Sequence, residues 1–177
     1  MTLYLISDFH LDHANIIEYC SRPFDDVEEM NAGLIQQWNQ VVEPDDTVLY
    51  LGDFGWWDIE NIIGFYEQLN GEMVLVRGNH DEFGVGEVPF VVVESCTIEH
   101  GGYEFYCEHR PCDVPEDASW WHIHGHKHNN HVDEFPFLNP SEQRVNVSCE
   151  LLSYTPISIE ELVVFLDRGE RMDHYEP

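Results

Sequence analysis

Three short apolar runs in the first half of the chain each end directly in polar side chains, and this pattern constrains the fold most strongly. LIS precedes Asp8 and His10, VLYLG precedes Asp53, and MVLVRG precedes Asn79 and His80. A buried strand that ended in unpartnered charge would be costly. Open α/β sheets place their sites at the carboxyl ends of parallel strands. The pattern therefore predicts neighbouring parallel strands with a polar site along one edge.

Helical periodicity fills the segments between these runs. Apolar residues at helical spacing predict a helix over Val27 to Val42, with Asp25 or Asp26 as N-cap, and a second over Ile59 to Gly71. Strands are predicted over Thr2 to Ser7, Thr47 to Leu51 and Met73 to Val76. The second half reads mostly as short strands before a final helix. We expect one α/β domain over residues 1–177, with a frayed polar tail from about residue 169.

The charge balance excludes one broad class of partner. Seven basic residues face 35 acidic ones, which gives a formal net charge of −28. Such a surface repels long nucleic acid and anionic membranes, because both are bound through basic faces. Acidic, lysine-poor surfaces also resemble those of proteins from high-salt cytoplasms, where screening removes the self-repulsion. We therefore expect a halophilic source, and the charge alone does not indicate an activity.

The cysteines and the hydropathy pattern predict a cytoplasmic protein. The chain has five cysteines, an odd number, and no CxxC pair. It shows no signal-peptide pattern at MTLYLIS, and no apolar run of about 18 residues that would predict a transmembrane helix. Free thiols in a reducing compartment are the simplest interpretation.

Later strands add further imidazoles to the polar edge. His109 lies in CEHRP, and His126 and His128 lie in GHKH. Carboxylate, imidazole and amide donors suit borderline divalent metals such as Mn, Fe, Co, Ni and Zn. Each fragment alone is more often structural, but their combination at successive strand ends indicates a metal site.

The order of these fragments resembles that of the calcineurin-like metallophosphoesterases. That family's pattern is D-x-H, G-D, G-N-H-[DE], a lone His and G-H-x-H, and this chain has DFH, GD, GNHD, EHRP and GHKH in that order. The segments DFHLDHANIIEYCSRPF and NVSCELLSYTPISIEEL are similar to those of small prokaryotic and phage members. The resemblance implies a four-layer αββα sandwich with a dinuclear metal site at the carboxyl ends of the strands.

The same resemblance implies how the metals are held. The first ion would take Asp8, His10 and His128, the second would take Asn79, His109 and His126, and Asp53 would bridge the two. We expect two divalent ions, with manganese ranked ahead of iron, zinc, nickel and cobalt. The ions would compensate the buried carboxylates, which could then remain ionised.

The expected function is metal-dependent hydrolysis of a small phosphate ester, with a phosphodiester favoured. A hydroxide bridging the metals would attack phosphorus in line. One alternative is a phosphomonoesterase or protein phosphatase. Another is a non-catalytic, metal-binding interaction module on the same fold. Completeness of the ligand set favours an enzyme over the interaction module. The motif pattern does not indicate the oligomeric state.

Five residues are candidates for catalysis or substrate binding. We predict His80 as a general acid on the leaving-group side, with Asp81 orienting its ring. His13 follows the first ligand turn and is expected at the substrate rim, and Asn79 is expected to contact substrate as well as metal. Arg22 in SRPF can either clamp a phosphate oxygen or pair with a nearby Asp.

Two tryptophan pairs remain open to either of two roles. Trp56-Trp57 and Trp120-Trp121 can stack on a base or aryl leaving group, or pack at the core and its rim. Packing is the commoner role of adjacent aromatic residues, so we favour it for both pairs.

Overall fold

The computed structural model describes residues 1–55, 58–84 and 86–177, so Trp56 and Trp57 lie outside the described residues. The described residues form ten strands: β1 Leu3–Ile6, β2 Thr47–Tyr50, β3 Glu72–Val76, β4 Val91–Val93, β5 Cys96–His100, β6 Tyr103–Cys107, β7 Trp120–His124, β8 Leu138–Asn139, β9 Arg144–Asn146 and β10 Ile157–Ser158. The α-helices are α1 Asn15–Tyr19, α2 Val27–Val41, α3 Ile59–Tyr66 and α4 Ile159–Arg168, and two 3₁₀ helices span Pro140–Glu142 and Cys149–Leu152.

The strands form two mixed five-stranded sheets. The first has the order β10-β1-β2-β3-β4, in which β1 to β4 are parallel and β10 is antiparallel. The second has the order β5-β6-β7-β9-β8, with β6, β7 and β9 parallel. The predicted α/β class and the parallel pairing of the first three strands are confirmed.

One hydrophobic core joins the two sheets. It contains residues of the first sheet, such as Leu5 and Leu75, and of the second, such as Ile123 and Val145. Beyond β1, the N–H of Ser7 donates to the Val147 carbonyl at 3.0 Å, in a parallel bridge between Ser7 and Ser148. The strand ends of the two sheets therefore meet at a common edge.

Helix α2 secures the first of these strand ends. The Asp26 side chain accepts a hydrogen bond from the Glu29 N–H, as expected of an N-cap. The buried face of the helix includes Trp38, whose ring packs edge-on against Phe9 with centroids 5.9 Å apart. Because Phe9 lies between Asp8 and His10, this packing anchors the segment that carries both side chains.

The C-terminal segment departs from the expectation of a frayed tail. Met172 forms an antiparallel bridge with Leu138, and Tyr175 is buried, with its N–H donating to the Leu151 carbonyl. The prediction of fraying was wrong because it counted the polar residues and neglected these two apolar anchors. Helix α4 ends at Arg168, and Gly169 follows it in the left-handed region at φ 66°.

The described tryptophans of the second pair lie on β7. The Trp120 ring packs edge-on against Tyr106, and the Trp121 ring packs edge-on against Tyr103.

Within the described ranges, none of the helices is both long and apolar enough to cross a membrane.

Candidate metal centre

Asp8 and His10 project from a sharply bent segment that follows β1. Their backbones lie in the left-handed region, at φ 62° and 48°. The N–H of Asp8 donates to the Gly52 carbonyl and that of His10 donates to the Asp53 carbonyl, at 3.0 and 3.1 Å. The N–H of Phe9 donates to the Tyr50 hydroxyl at 2.6 Å. Non-glycine residues with such backbones are found where the surrounding structure overdetermines them, which is common at functional sites.

Asp53 occupies the middle of the cluster. Its Oδ2 lies 3.5 Å from His10 Nε2 and 3.3 Å from His109 Nε2. Its Oδ1 accepts a hydrogen bond from the His80 N–H at 2.9 Å. One carboxylate thus lies between histidines of the two sheets and also holds the turn that carries His80.

The remaining predicted ligands close around these groups. His109 Nε2 lies 3.2 Å from Asn79 Oδ1, and His128 Nε2 lies 3.9 Å from Asp8 Oδ1. The His126 N–H donates to the carboxylate of Asp8. The structure therefore brings all seven predicted ligands to one place.

Donor atoms in this region form two compact groups. Within each group, the candidate ligand atoms lie within 4.8 Å of one another. The groups are Asp8, His10 and His128, and Asp53, His109 and His126. A third group shares His128 and adds Cys20 and Glu150. Carboxylate and imidazole donors at this spacing suit divalent transition metals.

Two glycines of the motifs are required because other segments of the same chain pass too close to them for a side chain to fit. A Cβ at Gly78 would collide with the carboxylate of Asp53. A Cβ at Gly125 would collide with Ser7 and with the carboxylate of Asp8. Any side chain at either position would displace a central carboxylate.

The electrostatics of the cluster fit a divalent cation. Burial raises the pKa of Asp8. Burial lowers the pKa of His109 and of His128, but Asp53 and Asp8 outweigh it and raise the two values to about 9 and about 11. Protons on these imidazoles thus compensate the buried carboxylates, and a metal ion would replace those protons.

His10 provides the most direct indication that this site suits a metal ion. Burial lowers its pKa to about 3, so its ring is neutral. Both ring nitrogens are buried and have no hydrogen-bond partner within the described ranges. Buried polar atoms are nearly always satisfied, so a neutral imidazole aimed at carboxylates fits a metal ligand.

Arg22 does not face this site, which corrects one of its two interpretations. Its guanidinium is fully buried, so the predicted role as a phosphate clamp is wrong. It donates to the backbone carbonyls of Asp8 and Phe9, each at 2.6 Å, and to Glu150 Oε1 at 2.6 and 3.0 Å. Arg22 does form an ion pair, as the other interpretation expected, but its partner is Glu150 and not a nearby Asp. Arg22 therefore holds the backbone of the Asp8 to His10 segment.

Glu150 is a residue that sequence reasoning missed. Its Oε1 also lies 3.0 Å from His128 Nδ1, so it orients a predicted metal ligand through the other ring nitrogen. Arg22 and His128 outweigh burial and lower the pKa of Glu150 below its usual range. An acidic residue between apolar neighbours in SCELL, four positions after β9, is the signal that could have indicated it.

Arg22→Met is expected to destabilise the protein by about 3–5 kcal/mol, because the buried Glu150 carboxylate loses its arginine partner and the carbonyls of Asp8 and Phe9 lose their donor. Urea unfolding followed by circular dichroism would measure the loss. Arg22→Met combined with Glu150→Leu should recover part of it, since both charges are then removed. Arg171→Met, at a half-exposed ion pair, is the control and should change stability far less. A single variant as stable as the wild type would contradict the buried pair.

Asp81 has a different role from the one predicted. Its carboxylate accepts hydrogen bonds from the N–H groups of Asp53, Phe54 and Gly78, at 2.9, 3.1 and 2.7 Å. The prediction that it orients the His80 ring is therefore corrected. Its oxygens are committed to backbone donors, and it binds the Asp53 turn to the GNHD turn.

His80 and His13 lie at the mouth of the cluster. A cleft of about 390 Å³ opens there. It is lined by His10, His13, Ile16, Tyr19, Asp53, Asn79, His80, His126 and His128. The His80 ring lies 5.4 Å from that of His10, and the His13 ring lies 5.8 Å from it. The predicted general acid His80 and the predicted rim residue His13 thus both adjoin the candidate ligands.

Comparison with known proteins identifies the class that this fold and site define. The family model for calcineurin-like phosphoesterases matches residues 1–148, and the chain belongs to that family. Members generally use divalent metal ions, in agreement with the donor groups.

Two similar proteins cover nearly the whole chain, and a third covers less than half of it. An uncharacterized protein of Methanocaldococcus jannaschii is 44% identical over 176 residues, covering 95% of this chain and 93% of that protein. A crystal structure of a protein of unknown function from Aquifex aeolicus has 26% identity and a TM-score of 0.72, covering 93% of this chain and 98% of that one. The Gene 66 protein of Mycobacterium phage L5 is 37% identical over 78 residues, which cover 42% of this chain and 37% of that protein.

Proposed function

We propose that this protein is a metal-dependent phosphodiesterase with two divalent ions at the edge where its sheets meet, in a four-layer αββα arrangement. The central position of Asp53 carries the proposal. Its Oδ2 lies within 3.5 Å of His10 Nε2 and of His109 Nε2, which belong to different donor groups. A carboxylate so placed is suited to bridging two ions.

The ligand assignment follows the two donor groups. Asp8, His10 and His128 would hold one ion, Asn79, His109 and His126 the other, and Asp53 both. When bound, such ions neutralise phosphoryl oxygens and lower the pKa of water. Manganese is the ion we would test first, and iron, zinc, nickel and cobalt suit the same donors.

The chain's own residues would bind the ester and protonate its leaving group. A ring nitrogen of His80, exposed at the mouth of the cleft, would donate a proton to the leaving oxygen. The His80 N–H is held by Asp53, and the turn around it is held by Asp81. Asn79 would contact both metal and substrate, and His13 would line the rim.

The lining of the cleft supports a diester rather than a monoester. The nine described residues that line it include no lysine or arginine. A monoester carries up to two negative charges, and this chain has a net charge of −28. Apart from the two proposed ions, the lining therefore supplies no positive side chain that would favour the second charge of a monoester over the single charge of a diester.

A substrate and metal panel tests the proposal. Bis(4-nitrophenyl) phosphate, 4-nitrophenyl phosphate, and 2′,3′- and 3′,5′-cyclic nucleotides would be assayed with Mn, Ni, Zn and Mg, at low and high salt. We expect manganese-dependent hydrolysis in which the bis-aryl diester exceeds the monoester in kcat/KM. Faster monoester turnover would contradict the diester assignment. Metal binding without hydrolysis of any compound would favour an interaction module.

A further inference from the structure

One wall of the cleft has no role in the proposed metal chemistry. His13, Ile16 and Tyr19 form it, and all three belong to the short segment after the first ligand turn. Tyr19 is 65% exposed, although large hydrophobic side chains are mostly buried in the described part of the chain. An exposed aromatic ring at the mouth of a cleft is suited to contact with a ligand.

We propose that this wall binds a flat aromatic group on the leaving alcohol of the substrate, with the Tyr19 ring as the stacking surface. The inference rests on the proposed function and narrows its substrate to aryl or nucleoside phosphodiesters.

Aromatic rings lead continuously from the candidate metal centre to this wall. The His10 and His13 ring centroids lie 5.8 Å apart, and those of His13 and Tyr19 lie 6.4 Å apart at 70°. A substituent that extends outward from a phosphate beside His10 therefore meets His13 first and Tyr19 next. Stacking tolerates many ring types because every nucleobase or aryl group has a π-face.

The position of His80 indicates which ester group meets the wall. His80 lines the same cleft as His13 and Tyr19, and its ring lies 5.4 Å from that of His10. The group that receives the His80 proton is the leaving group. In this proposal, that group lies in the cleft that His80 lines together with Tyr19 and His13.

The sharpest test measures binding with two phosphonates of nearly equal size, in the presence of Mn²⁺. In methyl benzylphosphonate and methyl cyclohexylmethylphosphonate, a methylene replaces the leaving oxygen, so neither can be hydrolysed there. Isothermal titration calorimetry would give Kd for the wild type, Tyr19→Ala and Tyr19→Phe. Val164→Ala, at an exposed side chain on α4, is the control.

The wild type should bind the benzyl compound about fivefold or more tightly than the saturated one, as stacking of one ring predicts. Tyr19→Ala should abolish this preference, while Tyr19→Phe and Val164→Ala retain it. Equal binding of both compounds by the wild type, or a preference that survives in Tyr19→Ala, would overturn the inference and leave the proposed function intact. Binding of neither compound would overturn both.

Discussion

Asp53→Asn is expected to lose bound metal and, with it, almost all hydrolytic activity. Asp53 Oδ2 lies 3.5 Å from His10 Nε2 and 3.3 Å from His109 Nε2, so one carboxylate can supply charge to both donor groups. An amide keeps the size of the side chain but removes its negative charge. Loss of a residue that only supports a metal ligand lowers metal affinity by about 10- to 100-fold. Loss of Asp53, which we assign as a ligand, should lower it further.

The measurement is metal content per chain after dialysis, by inductively coupled plasma mass spectrometry, together with kcat/KM for bis(4-nitrophenyl) phosphate. Asp45→Asn changes the same chemistry at an exposed position and should leave both values unchanged. Circular dichroism would show that the Asp53 variant is folded. A folded variant with the metal content of the wild type would refute the bridging assignment.

His80→Ala is expected to retain its metals while kcat falls by about 10²- to 10⁴-fold, the usual contribution of a general acid. The reason is geometric. The His80 backbone is held by Asp53, and its exposed side chain adjoins the cleft rather than completing either donor group. Loss of the ring therefore removes a proton donor and leaves the candidate ligands in place.

Dependence on the leaving group separates a proton donor from a general electrostatic effect. The defect should be largest for diesters with an alkyl leaving group, which needs a proton, and smallest for 4-nitrophenyl esters. His174→Ala, at an exposed position in the C-terminal segment, is the control and should match the wild type. An equal defect for every leaving group would contradict the acid role, as would full activity.

The strand ends and their ligands were predictable because the information is local. Asp8, His10 and Asp53 each follow an apolar run directly, and parallel strands must bring their carboxyl ends to the same edge. Helix α2 was equally local, since its apolar spacing and its Asp26 cap lie within one segment. The prediction of α3 extended too far, to Gly71, whereas the helix ends at Tyr66.

Contacts between distant segments were not predictable in the same way. Arg22 and Glu150 are 128 residues apart, and SRPF offers the arginine several acidic neighbours nearer in the chain. Asp81 follows His80 directly, which suggested a partnership, yet the folded turn directs its oxygens at three backbone N–H groups. Tyr175 likewise reaches the core only because the chain returns to Leu151.

The amino-acid sequence by itself therefore determined the α/β class, the parallel pairing of the first three strands and, through its resemblance to the family, the set of seven candidate ligands. Only the tertiary structure decided that Arg22 is a buried support, that Glu150 orients His128, and that Tyr19 stands exposed at the cleft. The physical reason is that strand ends and helix periodicity follow from neighbouring residues. Burial and ion pairing depend on which distant segments the fold brings together.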